Sequence, residues 1–151
     1  MVGYSQKTIY ALRAIFELAL RCSEDPVSIA VLAKAQTIPP RFLENILLQL
    51  KQAGIVKSVR GKAGGYQLAR AAEAITVGDV LRAAEGQLSP ISCLTENSQD
   101  NCPMHGDCVF LPMWHRAQTA VLSVYDGTTY KDLLAQRERM LQQAYVPNFS
   151  I

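Results

Sequence analysis

Residues 39–69 read PPRFLENILLQLKQAGIVKSVRGKAGGYQLA, and the first half of this stretch predicts one amphipathic helix. The two prolines suit its start, because a proline in the first turn lacks only an N–H group that the helix leaves unbonded. Apolar residues then follow at i, i+3, i+4 and i+7, and a glycine suits the position after the last turn. We expect a helix from Pro39-Pro40 to about Ala53, with four residues facing the core: Leu43, Ile46, Leu47 and Leu50.

The second half of the same stretch predicts a β-hairpin. Residues 55–60 alternate and contain β-branched side chains, residues 66–68 form a second short strand, and residues 61–65 supply a glycine-rich turn. The turn lacks the glycine spacing of nucleotide-binding loops, but its backbone can approach a DNA groove closely. We interpret the hairpin as the wing of a winged helix-turn-helix, with Arg60 and Lys62 able to contact phosphates or the minor groove.

Two further helices are predicted before residue 39. Ser5 suits the N-cap of a helix that extends to about Leu20, and Ser28 opens a short helix over residues 29–35. The short helix and the one after it, joined by about four residues, have the size of a helix-turn-helix. A polar outer face does not by itself indicate recognition, because any surface helix has one. DNA recognition is favoured because this helix is the second of the pair and carries Arg41 in its first turn.

The charge of the chain is distributed unevenly. Residues 1–70 carry ten Lys/Arg against four Asp/Glu, and residues 71–151 carry five against nine, so +6 and −4 make up the net +2. A basic half favours a polyanionic partner, although a chance gradient on a solvated surface gives the same pattern. No stretch reaches the roughly 20 apolar residues of a membrane span, and residues 1–7 lack a secretory pattern. We therefore expect a cytoplasmic protein with no membrane partner.

The C-terminal half predicts three helices and a long loop. Thr76 suits the N-cap of a helix over residues 77–85, and periodicity is then absent from Gly86 to about Pro112. A helix over residues 113–125 has an apolar seam at heptad-like spacing, which indicates a dimer contact. Thr129 suits the cap of a last helix over residues 130–145, with Leu133, Leu134 and Leu141 expected inward. The seam residues are Trp114, Ala117, Val121 and Val124.

These segments predict a mostly α fold with a small two-stranded β wing and long C-terminal dimerisation helices. We divide the chain into a DNA-binding domain (1–86), a cysteine-bearing loop (87–112), dimerisation helices (113–146) and a tail (147–151). An enzyme is not indicated, because no paired acids, no nucleophile–base set and no nucleotide loop can be found.

Three of the four cysteines lie in the loop, at Cys93, Cys102 and Cys108, while Cys22 lies in the first helical pattern, where we expect a buried small residue. Closely spaced thiolates can converge on a soft metal centre, and the spacers of eight and five residues are too wide for a CxxC zinc knuckle. Iron–sulfur clusters use thiolate ligands and normally need four. His105 is one candidate fourth ligand and a residue of a partner chain is another. Three reduced thiols without a metal remain the alternative.

Two motifs resemble one known family. FLENIL at residues 42–47 and AGIV-x-SVRG-x-x-GGY-x-LA at residues 53–69 resemble the winged-helix signature of the IscR/NsrR/CymR regulators (the Rrf-two type). Residues 5–20, residues 75–84 and the cysteine loop followed by Trp114 match as well, so the resemblance covers nearly the whole chain. It implies a homodimer with one winged head from each chain, C-terminal helices that cross between chains, and binding to a partly palindromic promoter site in double-stranded DNA.

The resemblance also implies that Cys93, Cys102 and Cys108 hold an iron–sulfur cluster, with 2Fe–2S favoured over 4Fe–4S, and that cluster-assembly machinery is a further partner. Family members without these cysteines respond to other signals. A cluster-free regulator that senses thiol oxidation or a small molecule is therefore the alternative. The chain departs from the family in a longer first spacer, in Leu111 where one branch has a histidine ligand, and in Gln6-Lys7-Thr8 where another has an acidic ligand. The fourth ligand stays open.

If the chain binds DNA, the remaining candidate residues have expected contacts with bases or phosphates. Arg41, Glu44 and Asn45 would face the major groove, where arginine can pair with guanine and glutamate can accept from the cytosine amino group. Residues near helix ends could hold phosphates, and the wing would anchor the head. Assembly or loss of a cluster would reshape residues 86–112 and reset the angle between two heads. The predicted DNA contacts are Tyr4, Ser5, Lys7, Ser28, Arg41, Phe42, Glu44, Asn45, Arg60, Lys62 and Tyr66.

Overall fold

The computed structural model describes residues 4–21, 25–61, 63–89, 94, 102–104 and 106–144. Within these ranges the fold is mostly helical with one antiparallel two-stranded sheet, which confirms the predicted fold class. None of these helices combines the length and apolar character that a membrane crossing requires. The elements are α1 (Gln6–Arg21), α2 (Ile29–Gln36), α3 (Pro40–Gln52), β1 (Val56–Val59), β2 (Gly65–Leu68), a 3-10 turn (Ala72–Ala74), α4 (Val77–Glu85), α5 (Leu111–Gly127) and α6 (Tyr130–Ala144).

The core is built around α1, which packs against α2, α3, α4 and α6. The side chains of Ala11, Ala14 and Ile15 are fully buried there. The four apolar residues of α3 that the spacing assigned to the core are at most 2% exposed, so that prediction is confirmed. Val80 of α4 belongs to the same core, and Leu81 beside it is also buried.

Local capping sets the helix ends near the predicted positions. The Ser28 hydroxyl accepts a hydrogen bond from the Val31 N–H at the start of α2, and Thr37 ends α2 in the left-handed conformation at φ 52°. Pro40 is the first residue of α3, and Gly54 follows that helix at φ 68°, a conformation that favours glycine. Thr76 and Asp79 form a capping box at the start of α4.

The wing is a tight hairpin held against the strand-like residue Val27. The strand register pairs Val56 with Leu68 and Val59 with Gly65. Val27 exchanges two backbone hydrogen bonds with Tyr66, at 2.9 and 2.8 Å. A Cβ at Gly65 would lie 2.4 Å from the Val27 carbonyl oxygen. Glycine at this position therefore allows a close approach of two backbone segments.

The last helix, α6, begins at Tyr130 as predicted, whereas α5 begins at Leu111, two residues before the predicted start. Thr129 and Asp132 form the expected cap of α6. Tyr130, whose burial the sequence did not indicate, is completely buried and its hydroxyl donates to the Leu12 carbonyl oxygen at 3.2 Å. The inward position expected for Leu141 is wrong for the single chain, where it is 55% exposed. Only the first turns of α6 lie against α1 and the 3-10 turn.

Candidate nucleic-acid interface

The outer face of α3 is a polar surface opposite the buried face. Arg41, Glu44 and Asn45 are all exposed there, and none of them forms a hydrogen bond or ion pair with another residue that the structure describes. Phe42 is 59% exposed and Leu48 is 53% exposed on the same helix. The helix therefore presents hydrogen-bonding groups and two apolar side chains to a partner outside the head.

A half-buried polar network fixes α2, and with it the start of α3, against α1. Glu17 is 8% exposed and accepts hydrogen bonds from the Arg21 Nε atom at 2.7 Å and the Gln36 Nε2 atom at 2.8 Å. Arg13 donates to both the side-chain and the backbone oxygen of Gln36. A charge this buried is costly unless it is paired and hydrogen-bonded, as it is here. The network therefore orients the helix-turn-helix on α1.

The wing is linked to α3 and places its arginine in solvent. The Lys51 ammonium donates to the Ser58 hydroxyl at 2.6 Å, which joins the end of α3 to β1. Arg60 is exposed, whereas Tyr66 is half-buried. Lys62, the second predicted wing contact, lies outside the described residues. This hydrogen bond connects the wing to the end of the helix that bears the exposed polar face.

The N-terminus of α1 is occupied by a carboxylate of this chain. Glu85, the last residue of α4, accepts hydrogen bonds from the Ser5 N–H at 3.2 Å, from the Ser5 hydroxyl at 2.6 Å and from the Thr8 hydroxyl. The hydrogen bonds from Ser5, then Thr8, hold the pKa of Glu85 below its ordinary value. The Tyr4 hydroxyl donates to the Tyr125 hydroxyl of α5 at 2.7 Å. Two of the residues predicted to hold phosphates thus have partners within the chain.

Lys7 and Ser28 are the other two predicted phosphate contacts. Lys7 is half-buried on the first turn of α1. Ser28 is half-buried, and its hydroxyl caps α2 beside a surface cleft that Val31, Ala63 and Gly64 also line. The cleft separates the start of α2 from the wing, so both elements border one open surface.

Two of the loop cysteines lie just before α5. Cys102 and Cys108 are half-buried and neither forms a disulfide. A turn between them is closed by a hydrogen bond from the Asp107 N–H to the Met104 carbonyl oxygen at 3.1 Å, with Gly106 at φ 91°. The Cys108 carbonyl oxygen accepts from the Leu111 N–H at 3.2 Å at the start of α5. The two thiols are therefore close in the chain and attached to the end of a long helix.

The rest of the predicted metal set lies outside the described residues: Cys93, His105 and the separate Cys22. Among the residues that the structure does describe, no three His, Cys, Asp or Glu side chains converge on a metal-sized site. Thiolates are the donors that iron–sulfur clusters use, so Cys102 and Cys108 fit two of the four ligand positions such a group needs.

The seam of α5 is left uncovered by the single chain. No residue of α5 is buried; Trp114 and Ala117 are half-buried, whereas Val121 is 42% and Val124 62% exposed. The Asp126 carboxylate receives two hydrogen bonds from Arg82, at 2.7 and 2.6 Å, so α5 is held to α4 at its far end. The predicted helix ended at residue 125, and α5 continues through Asp126 and Gly127.

Comparison with known proteins gives matches along nearly the whole chain. The Rrf2 family, described as iron-dependent transcriptional regulators, matches residues 4–136. The regulator CymR of Bacillus subtilis is 36% identical over 142 residues, covering 94% of this chain and 96% of CymR.

Two solved structures share the fold. The structure of CymR, the global cysteine regulator of B. subtilis, has a TM-score of 0.73 at 34% identity and covers 90% of this chain and 98% of CymR. That of T. potens IscR has a TM-score of 0.74 at 33% identity and covers 92% of this chain and 90% of IscR. These matched proteins are transcriptional regulators and not enzymes. The chain belongs to the Rrf2 family of DNA-binding transcriptional regulators.

Proposed function

We propose that this chain is a homodimeric regulator that binds a partly palindromic promoter site in the cytoplasm, and that an iron–sulfur cluster on Cys93, Cys102 and Cys108 controls the binding. The exposed outer face of α3, opposite a face that is at most 2% exposed, carries the DNA-binding part of this proposal. The description of the family as iron-dependent regulators supports the cluster.

Base recognition is assigned to the free polar groups of α3. Arg41 can donate two hydrogen bonds to guanine, Asn45 can pair with adenine, and Glu44 can accept from the cytosine amino group. Each good pair discriminates against a wrong base by about 1–3 kcal/mol. Phe42 is exposed on the same helix, and Tyr66 of the wing is assigned a further DNA contact in this proposal.

Phosphate contacts position the head without reading sequence. Lys7, Ser28, Arg60 and Lys62 supply them in this proposal. Contacts from Tyr4 and Ser5 require their hydroxyls to bond a phosphate in addition to, or instead of, Tyr125 and Glu85.

A homodimer is proposed because the apolar seam lacks a cover. Trp114, Ala117, Val121 and Val124 recur along one side of α5, and Met140 and Leu141 of α6 are 60% and 55% exposed. Burial of such a stripe against a second copy removes apolar area from water at roughly 25 cal/mol per Å². Two heads joined in this way would match a site with two half-sites.

Control by the cysteines is proposed from their attachment to α5. Cys102 and Cys108 precede the helix that bears the seam, and that helix contacts Tyr4, just before α1, through Tyr125 and contacts α4 through Asp126. When bound, the cluster supplies iron–thiolate bonds that respond to iron, oxygen or redox state. Holding or releasing the thiols would shift the start of α5 and so the angle between the heads. The fourth ligand is His105 or a residue of the partner chain.

A cluster-free thiol regulator is the second candidate. CymR, whose structure is described as that of a cysteine regulator, matches 90% of this chain, and IscR matches 92%. Cys102 and Cys108 form no disulfide, are half-buried and are separated by five residues, which suits reversible oxidation equally well. This reading keeps the same DNA surface and replaces the cluster by the thiols themselves.

Anaerobic purification separates the two candidates. Wild-type protein should show visible absorbance with stoichiometric iron and sulfide, and Cys102→Ala should lose the colour and change its affinity for a promoter fragment in fluorescence anisotropy. Cys22→Ser, a cysteine outside the loop, is the matched control and should keep both. A colourless, iron-free wild type would favour the thiol regulator, and loss of colour with unchanged affinity would contradict control by a cluster.

Salt dependence tests the DNA surface itself. Affinity for the promoter fragment should fall steeply as salt is added, because neutralised phosphates release counterions. Weak binding without salt dependence would contradict the assignment of the basic residues to phosphates.

A further inference from the structure

An apolar side chain lies at the centre of the polar face of α3. Leu48 is 53% exposed. Its helical neighbours at i−7, i−4, i−3 and i+4 are on the same side of the helix, and all are exposed. The buried face of α3 lies on the opposite side. The residues around Leu48 are Arg41, Glu44, Asn45 and Gln52.

Exposure alone assigns nothing to a leucine, because single exposed apolar residues are common on protein surfaces. The position is informative here. A helical side chain covers the turn that precedes its own Cα, so Leu48 lies over the turn that contains Glu44 and Asn45. Those are the two residues that the proposed function brings to base edges. Any partner that Glu44 and Asn45 contact together must therefore also meet Leu48.

The chemistry of the major groove supplies one apolar partner. Base edges there present hydrogen-bond donors and acceptors, and in addition the 5-methyl group of thymine. We propose that Leu48 is a specificity-determining residue that contacts a thymine methyl group, next to the base pair that Asn45 contacts. This inference rests on the proposed DNA surface and extends it to a residue without hydrogen-bonding groups.

Helix geometry predicts how far this thymine lies from the base that Arg41 contacts. Leu48 follows Arg41 by seven residues, or about 10 Å along the helix axis. If α3 lies along the groove, this distance corresponds to about three base pairs. Phe42 is more exposed, at 59%, but it follows Arg41 by one residue and so points about 100° away from it. The thymine contact therefore belongs to Leu48, at the centre of the face, and Phe42 lies at its edge.

The test removes single thymine methyl groups from the DNA. Wild-type protein first selects its preferred sequence from a library of randomised duplexes. Each thymine of that sequence is then replaced by uracil, one at a time, and affinity is measured by fluorescence anisotropy. At one thymine in each half-site, replacement by uracil should lower the affinity of the wild type about fourfold. This loss corresponds to burial of one methyl group. The affinity of Leu48→Ala should not change at that position, because this variant lacks the side chain that contacts the thymine methyl group.

Two further variants control for general effects on the helix. Leu48→Met keeps an apolar side chain and should keep the uracil penalty. Gln49→Ala changes the next exposed residue, which points away from the face, and should show the wild-type pattern. Circular dichroism melting verifies that all variants are folded.

Equal uracil penalties in wild type and Leu48→Ala at every position would overturn the inference, as would a selected sequence in which no thymine methyl contributes to wild-type affinity. Both results leave the DNA surface of the proposed function intact. Failure of wild type to enrich any sequence would instead contradict the proposed function and this inference together.

Discussion

The winged head and the C-terminal helices differ in how far their apolar faces are buried. In the head, α3 buries its apolar face to 2% exposure or less against α1 and its neighbours. In α5, an apolar series of similar regularity has no buried member, and Val124 is 62% exposed. The same kind of sequence pattern thus marks a complete core in one region and an unsatisfied surface in the other. The apolar face of α3 is covered within the single chain, whereas α5 and α6 leave apolar residues exposed, which the proposed homodimer would bury.

A small set of polar contacts joins the two regions. Arg82 of α4 pairs with Asp126 of α5 through two hydrogen bonds, which lower the pKa of that carboxyl. Glu85, on the same helix, closes the N-terminus of α1. Since α4 ends directly before the cysteine-bearing segment, it connects that segment to both the head and the seam helix.

The largest expected effect is in the core of the head. Leu43→Ala should reduce the free energy of unfolding by about 2–5 kcal/mol, because a fully buried side chain is removed and a cavity is left. Leu48→Ala on the exposed face of the same helix is the matched control and should change it by about 0.5 kcal/mol or less. Urea denaturation measures both. Equal destabilisation by the two variants would contradict the assignment of faces on α3.

A charge placed in the apolar seam of α5 should prevent dimer formation. Val124→Glu places a charge in the proposed dimer contact and should convert the protein to monomers, which analytical ultracentrifugation detects. Affinity for promoter DNA should then fall by about a hundredfold, since two linked heads bind more tightly than one. Thr119→Glu introduces the same charge on the opposite side of α5 and should leave dimer and affinity unchanged. A Val124→Glu protein that still sediments as a dimer would place the interface elsewhere.

The wing offers a test of close backbone packing. Gly65→Ala should cost about 2 kcal/mol, because its new Cβ would lie 2.4 Å from the Val27 carbonyl oxygen and the strands must move apart. Gly127→Ala is the counterpart in the C-terminal region, where a Cβ meets nothing within 4 Å, and should be nearly neutral. Thermal unfolding compares the two. A tolerated alanine at residue 65 would mean that the wing is not pressed against Val27.

The smallest expected effect is at the junction between the regions. Glu85→Gln should reduce stability by about 1 kcal/mol at neutral pH, a value discounted because the carboxylate is exposed. A carboxylate whose pKa is lowered by folding stabilises the protein above its ordinary pKa, and this stabilisation is lost as the pH falls through the lowered value. Urea unfolding at a series of pH values should therefore show the difference between wild type and variant disappear in acid.

Glu73→Gln, an exposed residue of the 3-10 turn, is the control for the charge change and should follow the wild type at every pH. A difference for Glu85→Gln that persists unchanged into acid would show that the Ser5 and Thr8 contacts do not depend on the carboxylate charge.

Most element boundaries could be read from the chain alone. The caps at Ser28, Thr76 and Thr129 and the proline start of α3 depend on residues within four positions of each other, so short-range hydrogen bonding and backbone preference decide them. The hairpin is also local, because its paired residues are at most 12 positions apart. The same is true of the buried and exposed faces of α3, which follow from the helical repeat. The candidate DNA residues of α3 were found in this way.

Contacts between distant segments could not be read in that manner. The bonds from Glu85 to Ser5 and from Arg82 to Asp126 join residues 80 and 44 positions apart, and the buried hydroxyl of Tyr130 meets Leu12 across 118 positions. Equally local patterns left Leu133 packed against the core and Leu141 exposed, because only the first turns of α6 reach α1. Periodicity states which side of a helix is apolar. What covers that side depends on how the whole chain, or a second copy of it, brings separate surfaces together.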